Sequence, residues 1–143
     1  MHKLKIKDSS ELINFKHSIK ITPRYCETDQ MGVIYYGHYF DWFEVARTRL
    51  FNFLGLPYRE LEKFKIYLPV IEAHARYINS ARYDIDVDVE TKISEFKHGM
   101  IRFEYLITEN GKKLVTGYTK HIFIKDKKRV SMNLESLKEL LEK

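Results

Sequence analysis

The apolar positions of this chain follow two rhythms, and the rhythms divide it into elements. Between Tyr39 and Leu54 they recur at three- and four-residue steps, with Tyr39, Phe43, Ala46, Leu50 and Leu54 on one stripe and Phe40, Trp42, Phe51 and Phe53 beside it. Little besides Asp41, Glu44, Arg47, Arg49 and Asn52 is left to face water, so the pattern predicts a largely buried helix wrapped by other structure. Its ends are marked too. Asp41 and Glu44 lie near the positive start of the helix dipole, Arg47 and Arg49 further toward the negative end, and Gly55 and Pro57 follow.

Elsewhere the period is two. Phe15 to Tyr25 alternates, with Phe15, His17, Ile19 and Ile21 on one side, and Pro23 near its end cannot donate to a sheet ladder. Leu68 to Ile78 alternates before Asn79-Ser80-Ala81-Arg82 breaks the run, and Ile85 to Ile93 is the cleanest alternation in the chain. Lys97-His98-Gly99-Met100 predicts a hairpin leading into the strand Ile101 to Thr108. Asn110-Gly111 predicts a second hairpin, because both residues tolerate positive φ. The last strand, Lys113 to Lys125, is apolar or aromatic on both faces, which implies cover on both sides. Short helices are predicted from Leu56-Pro57-Tyr58 to about Lys65, where proline suits the first turn, and after Asn133, which can cap a stripe of Leu134, Leu137, Leu140 and Leu141. Asp8-Ser9-Ser10-Glu11 can cap a further helical turn, or residues 1–14 form a loose arm.

This order is strand, long helix, then four strands, the last three a meander. It predicts an α+β domain in which a five-stranded antiparallel sheet curls around one long central helix, with a short C-terminal helix behind. One domain suits 143 residues. Such a sheet leaves an edge and a face open, and pairing with a second copy is the economical remedy.

Composition narrows the partners. The formal net charge of +5 favours anions, yet Lys and Arg are spread along the chain, and no helix-turn-helix, zinc-finger or RNA-binding signature points to nucleic acid. No apolar run approaches the roughly 18 residues of a membrane span, and the first residues lack the apolar core of a signal peptide, so a cytoplasmic protein is expected. A single cysteine, Cys26, rules out an intrachain disulfide; it has no assignable base and is expected to be a small buried residue. No His, Cys and carboxylate set has metal-ligand spacing, so no metal and no cofactor is expected.

The candidate chemistry lies where the first strand meets the long helix. Asp29 stands a few residues before backbone N–H groups at a helix start, which can hold an oxyanion. The stretch reads Glu27-Thr28-Asp29, Gln30-Met31-Gly32, Val33-Ile34, Tyr35-Tyr36-Gly37-His38-Tyr39, Phe40-Asp41-Trp42-Phe43-Glu44, then Arg47. It resembles the signature of the 4-hydroxybenzoyl-CoA thioesterase-like branch of the hotdog-fold acyl-CoA thioesterases: an Asp-Thr-Asp run, a glycine, two apolar residues, Tyr-His-Ala-Asn-Tyr and an aromatic-rich helix. Tyr36 stands where many members have histidine, and His38 where they have asparagine. The resemblance implies the hotdog fold, active sites between paired subunits, dimers that often pair again into tetramers, and hydrolysis of an acyl-CoA thioester, with acyl groups on acyl carrier protein as a further substrate.

Thioester hydrolysis needs an oxyanion stabiliser and either a nucleophile or a base that activates water. Asp29 can be either, while the backbone N–H groups around Tyr36, Gly37 and His38 are the candidate oxyanion donors. Gly32, Tyr35 and Tyr39 are expected against the substrate, and Lys97 and His98 against the CoA phosphates. No Gly-x-Ser-x-Gly elbow is present to support a serine triad. Plain structural roles stand beside these: Asp29 as turn former, the tyrosines as core, His38 as a capping group, Glu44 as an ordinary helix carboxylate, and His74 as structural. Two other functions remain open, a hotdog dehydratase acting on a 3-hydroxyacyl thioester and a non-catalytic acyl-thioester binding subunit.

Overall fold

The computed structural model describes residues 8–142. Asp8 caps helix α1 (Ser9–Asn14) by accepting the Glu11 N–H, and Leu12 on that helix is buried. Of the two readings of the N-terminal segment, the capped helix is therefore what residues 8–14 form; residues 1–7 lie outside the described residues. Strand β1 (Lys16–Ile21) stops earlier than the alternation suggests. Beyond Pro23 the chain coils into a 3-10 turn (Tyr25–Glu27), capped when the Glu27 carboxylate accepts the Arg24 N–H.

The long helix α2 (His38–Leu54) ends where Gly55 turns left-handed at φ 86° and donates back to the carbonyls of Phe51 and Asn52. Tyr39, Trp42, Phe43, Ala46, Leu50, Phe51 and Leu54 are buried, whereas Phe53, expected in the second stripe, is 40% exposed and stacks on Phe15. Pro57 precedes helix α3 (Tyr58–Lys63). The next elements are β2 (Ile66–Tyr67), β3 (Val70–Tyr77), β4 (Val87–Lys97), β5 (Met100–Glu109), β6 (Lys112–Ile122), β7 (Ile124–Lys125), β8 (Lys128–Arg129) and α4 (Leu134–Leu141), whose cap is Asn133.

Five strands pair antiparallel in the order β1-β4-β5-β6-β3, curled around α2. Both predicted hairpins are tight two-residue turns: His98 and Gly99 (φ 53° and 74°) between Lys97 and Met100, then Asn110 and Gly111 (φ 48° and 83°) between Glu109 and Lys112. The sheet presses closely on the helix at Gly117. A Cβ there would lie 2.5 Å from the His74 carbonyl and 2.7 Å from the Phe43 ring, which itself stacks on Tyr105 at 4.2 Å.

The C-terminal part of the sheet departs from the pattern. The strand predicted over Lys113 to Lys125 breaks at Phe123, whose N–H turns to the Gly99 carbonyl, and the chain then joins a second sheet of order β2-β7-β8. The charged turn at Lys125–Arg129 is the hairpin of that sheet, with Asp126 and Lys127 both at positive φ.

Candidate active site

Asp29 sits at the tip of a loop that the backbone closes on itself. Its N–H donates to the Val33 carbonyl at 2.9 Å, its carbonyl accepts the Gly32 N–H at 3.1 Å, and its Oδ1 accepts the Met31 N–H at 2.8 Å. Gly32 takes φ 77°, and a Cβ added there would meet no atom within 4 Å, so backbone conformation rather than space requires glycine. The legs of the loop are zipped by a Thr28–Ile34 bridge and by the Tyr35 N–H donating to the Glu27 carbonyl. Asp29 is half-buried, with one carboxylate oxygen committed to the turn.

The loop is fixed to the rest of the molecule at Ala81. The Ala81 carbonyl accepts the Ile34 N–H, and the Ala81 N–H donates to the Tyr39 hydroxyl on the first turn of α2. Burial pushes the Tyr39 hydroxyl above its usual range, with the Ala81 N–H opposing and the Asp29 charge adding to the rise. Tyr39 is therefore a neutral anchor, and the acid stands near enough to be felt by it. Tyr77 completes the group: its hydroxyl donates to the Tyr36 carbonyl, and its ring packs 5.6 Å from Tyr39 and 6.1 Å from Tyr36.

The helix start divides the three expected backbone donors. The His38 N–H is spent on the Tyr35 carbonyl at 3.0 Å, whereas the N–H groups of Tyr36 and Gly37 meet no backbone acceptor among the described residues. The His38 ring lies 3.0 Å from Asp41, a local pair at the helix entrance. Tyr35 and Tyr36 are exposed, with rings 4.5 Å apart; Gly37 permits this, since a Cβ would lie 2.9 Å from the Tyr35 ring. Along α2 from this point runs a groove of about 220 Å³ lined by Phe40, Asp41, Glu44, Arg47, Val70, Ala73 and Thr119. Glu44 faces that groove beside Arg47, and His74 stacks on Tyr118 away from the loop.

Within one subunit Lys97 and His98 stand apart from Asp29: β4 begins opposite Ile21 and ends at their hairpin, so they lie at the far end of an 11-residue strand, on the order of 30 Å along the sheet. One expectation is corrected here. Cys26, expected to be buried, is exposed, because the 3-10 turn points its side chain outward.

Sequence reasoning missed the parts contributed from a distance. Tyr77 ends a recognised strand and could have been suspected from its position before the turn, but Ala81 acts through its backbone and leaves no side-chain signal. Among the described residues no three His, Cys, Asp or Glu side chains cluster as metal ligands.

A family model described as the thioesterase-like superfamily matches residues 23–142. The chain belongs to that superfamily. YneP of Bacillus subtilis, a proposed acyl-CoA thioesterase, is 36% identical over 104 residues, which are 73% of this chain and 64% of YneP. The chain thus spans just under two thirds of that relative. A solved DHNA-CoA thioesterase from Staphylococcus aureus is 32% identical, with a TM-score of 0.78 over 89% of this chain and 91% of its own. The 4-hydroxybenzoyl-CoA thioesterase of Pseudomonas sp. strain CBS-3 superimposes with a TM-score of 0.74, covering 87% of this chain and 98% of its own. At 18% identity it shows the fold alone, and that fold is the hotdog.

Proposed function

We propose that the chain hydrolyses an acyl-CoA thioester to a carboxylic acid and CoA. The observation that carries this reading is the pairing of a half-buried carboxylate, Asp29, held by an Asx turn, with two N–H groups at the start of α2, those of Tyr36 and Gly37, that no backbone carbonyl among the described residues occupies. A thioester carbonyl presented to those N–H groups would be polarised as its oxygen gains charge, an effect worth roughly 3 kcal/mol per donor. Asp29 would attack the carbonyl carbon or take a proton from the attacking water. In either route the thiolate of CoA leaves; in the first, water then opens the acyl–Asp29 anhydride, freeing the acid and restoring the carboxylate. The groove along α2, lined by Phe40 and Val70 among others, would take the acyl group.

A homodimer, able to pair again into a tetramer, is part of this proposal. β3 is an edge strand exposed on both faces, with Val70, Ile71 and Tyr77 about half uncovered. Antiparallel pairing of β3 with its copy would place the Val70 end of one strand beside the Tyr77 end of the other. The end of the sheet that carries Lys97 and His98 of the partner subunit would then lie toward the Asp29 site. CoA phosphates are proposed to be met across the two-fold in this way, not within one subunit.

The test is thiol release from a panel of short, long and aromatic acyl-CoAs and acyl carrier protein thioesters, with wild type beside Asp29→Asn. An amide of the same shape neither attacks nor accepts a proton, so kcat should fall by roughly 100- to 10,000-fold with fold and binding kept. Thiol release by the variant at near wild-type kcat would remove Asp29 from the chemistry. Crotonyl-CoA in the panel separates hydrolysis from hydration, since only hydrolysis frees a thiol.

A further inference from the structure

Glu27 is a carboxylate placed where carboxylates are rarely found: it is 4% exposed, and both oxygens are bonded. Oε1 accepts the Arg24 N–H at 2.8 Å, which caps the 3-10 turn. The cap needs only that oxygen. Oε2 reaches across to α2 and accepts the indole N–H of Trp42 at 2.9 Å. Among the described residues the nearest cationic group is the Arg24 guanidinium at 3.6 Å, on a side chain 72% exposed, so solvent screens much of that attraction. A capping role alone does not account for sinking this charge against the helix.

The two ends of the Glu27–Trp42 bond lie close in sequence to the proposed reacting groups. Glu27 precedes Asp29 by two residues, and its carbonyl holds the Tyr35 N–H that closes the loop. Trp42 lies one helical turn beyond His38, its ring 5.1 Å from Tyr39, so it is part of the same first turns as the Tyr36 and Gly37 amides. The Ala81 backbone ties the second leg of the loop, at Ile34, to Tyr39. Only the Glu27 carboxylate ties the first leg, the one that leads into Asp29, to the helix through a side chain among the described residues.

We infer that Glu27 is a positioning residue: through Trp42 it fixes the Asp29 loop to α2 and so holds the acid in register with the amides at the helix start. This rests on Asp29 and those amides being the reacting groups. A glutamine has one acceptor oxygen where Glu27 uses two, and its NH₂ would face an N–H donor, so Glu27→Gln breaks one of the two bonds with almost no change in shape. Trp42→Phe removes the indole donor and leaves the cap intact.

Two readouts test it in the full-length chain. By amide hydrogen exchange, both variants should speed exchange across residues 28–35 by tenfold or more while the β4, β5 and β6 amides keep their protection. Unchanged exchange in that loop overturns the inference whatever the activity. In the thiol-release assay, each variant should lower kcat about 10- to 100-fold with KM within about threefold, since a misplacement near 1 Å costs up to that factor. The double variant should be no worse than the weaker single one, and Glu27→Gln should cost nothing further in an Asp29→Asn background. Additive losses, or a fall in kcat that persists in that background, would show that Glu27 does not act through this link to Asp29. A loosened loop with Asp29→Asn still active would leave the tether standing and sink the catalytic reading instead.

Discussion

At the scale of residues, the buried polar chain beneath the groove sets a pH dependence. Arg47 donates toward the Tyr105 hydroxyl at 3.5 Å, Tyr105 and Thr119 share a bond of 2.6 Å, and Thr119 lies 2.9 Å from His121 Nε2. His121 Nδ1 lies 3.0 Å from the Leu68 carbonyl, which can only accept, so Nδ1 carries the proton and Nε2 accepts from Thr119. The ring is neutral, and burial pushes its pKa down to about 4 from 6.5. A histidine depressed in the folded state stabilises fully above the unfolded value and loses that contribution as pH falls from 6.5 toward about 4. The loss approaches 1.4 kcal/mol per pH unit and totals on the order of 3 kcal/mol. Urea midpoints for wild type should therefore fall between pH 7 and 5, and His121→Gln should flatten the slope while lowering stability at neutral pH. An equally steep variant would mean that other groups, such as His17, whose pKa burial also lowers, carry the dependence.

The candidate site was legible to the extent that it was local. Asp29 stood out because its neighbours in sequence are also its neighbours in space, all within one closed loop and the helix start it feeds. Glu27 was read only as part of a motif, because the partner that explains its burial is Trp42, a residue that periodicity assigned to the core. Cys26 was misplaced because composition says how often a cysteine is buried and nothing about which way a 3-10 turn aims it.

At the scale of elements, the contact between α2 and β6 offers a direct test of packing. Gly117 pairs with Tyr105 on one side and Ala75 on the other, beneath the Phe43 ring. Gly117→Ala forces the ring or the strand to move, at a cost of about 1–3 kcal/mol. Because the clash is with Phe43, the effect should be non-additive: Phe43→Leu should be less damaging in the Gly117→Ala background than alone. Denaturant melts of the four proteins measure this, and strict additivity would place the strain in the His74 carbonyl contact. The strands and α2 themselves were readable, since period two and period 3.6 record which face of each is covered. The break at Phe123 was not. Ile122 and Ile124 continue the apolar pattern, and only the distant Gly99 carbonyl and the β2 strand decide that the chain leaves one sheet for another.

At the scale of the whole molecule, the five-stranded sheet has two unlike edges, and the difference selects the one the proposed dimer would use. The β1 edge presents Lys16, Ser18 and Lys20, with both lysines within 4 Å of carboxylates on β4. Charged edges of this kind resist further pairing. The β3 edge presents Val70 at 46% exposure and Ile71 at 53%, with Tyr77 and Ile78 almost as open, and neither face of the strand is covered. Closing this edge against a second copy would bury those side chains and satisfy the free backbone groups of an eight-residue strand. Ile71→Lys places a like charge near its copy across any two-fold in this region and should shift the protein from dimer to monomer in light scattering at micromolar concentration. Because the proposed phosphate contacts come from the partner, the same variant should raise KM for acyl-CoA more than it lowers the melting temperature. Lys20→Ala, on the other edge, should leave the oligomer intact. A wild-type protein that is monomeric throughout the micromolar range would overturn the composite site, and one that stays dimeric with Ile71→Lys would move the interface away from β3.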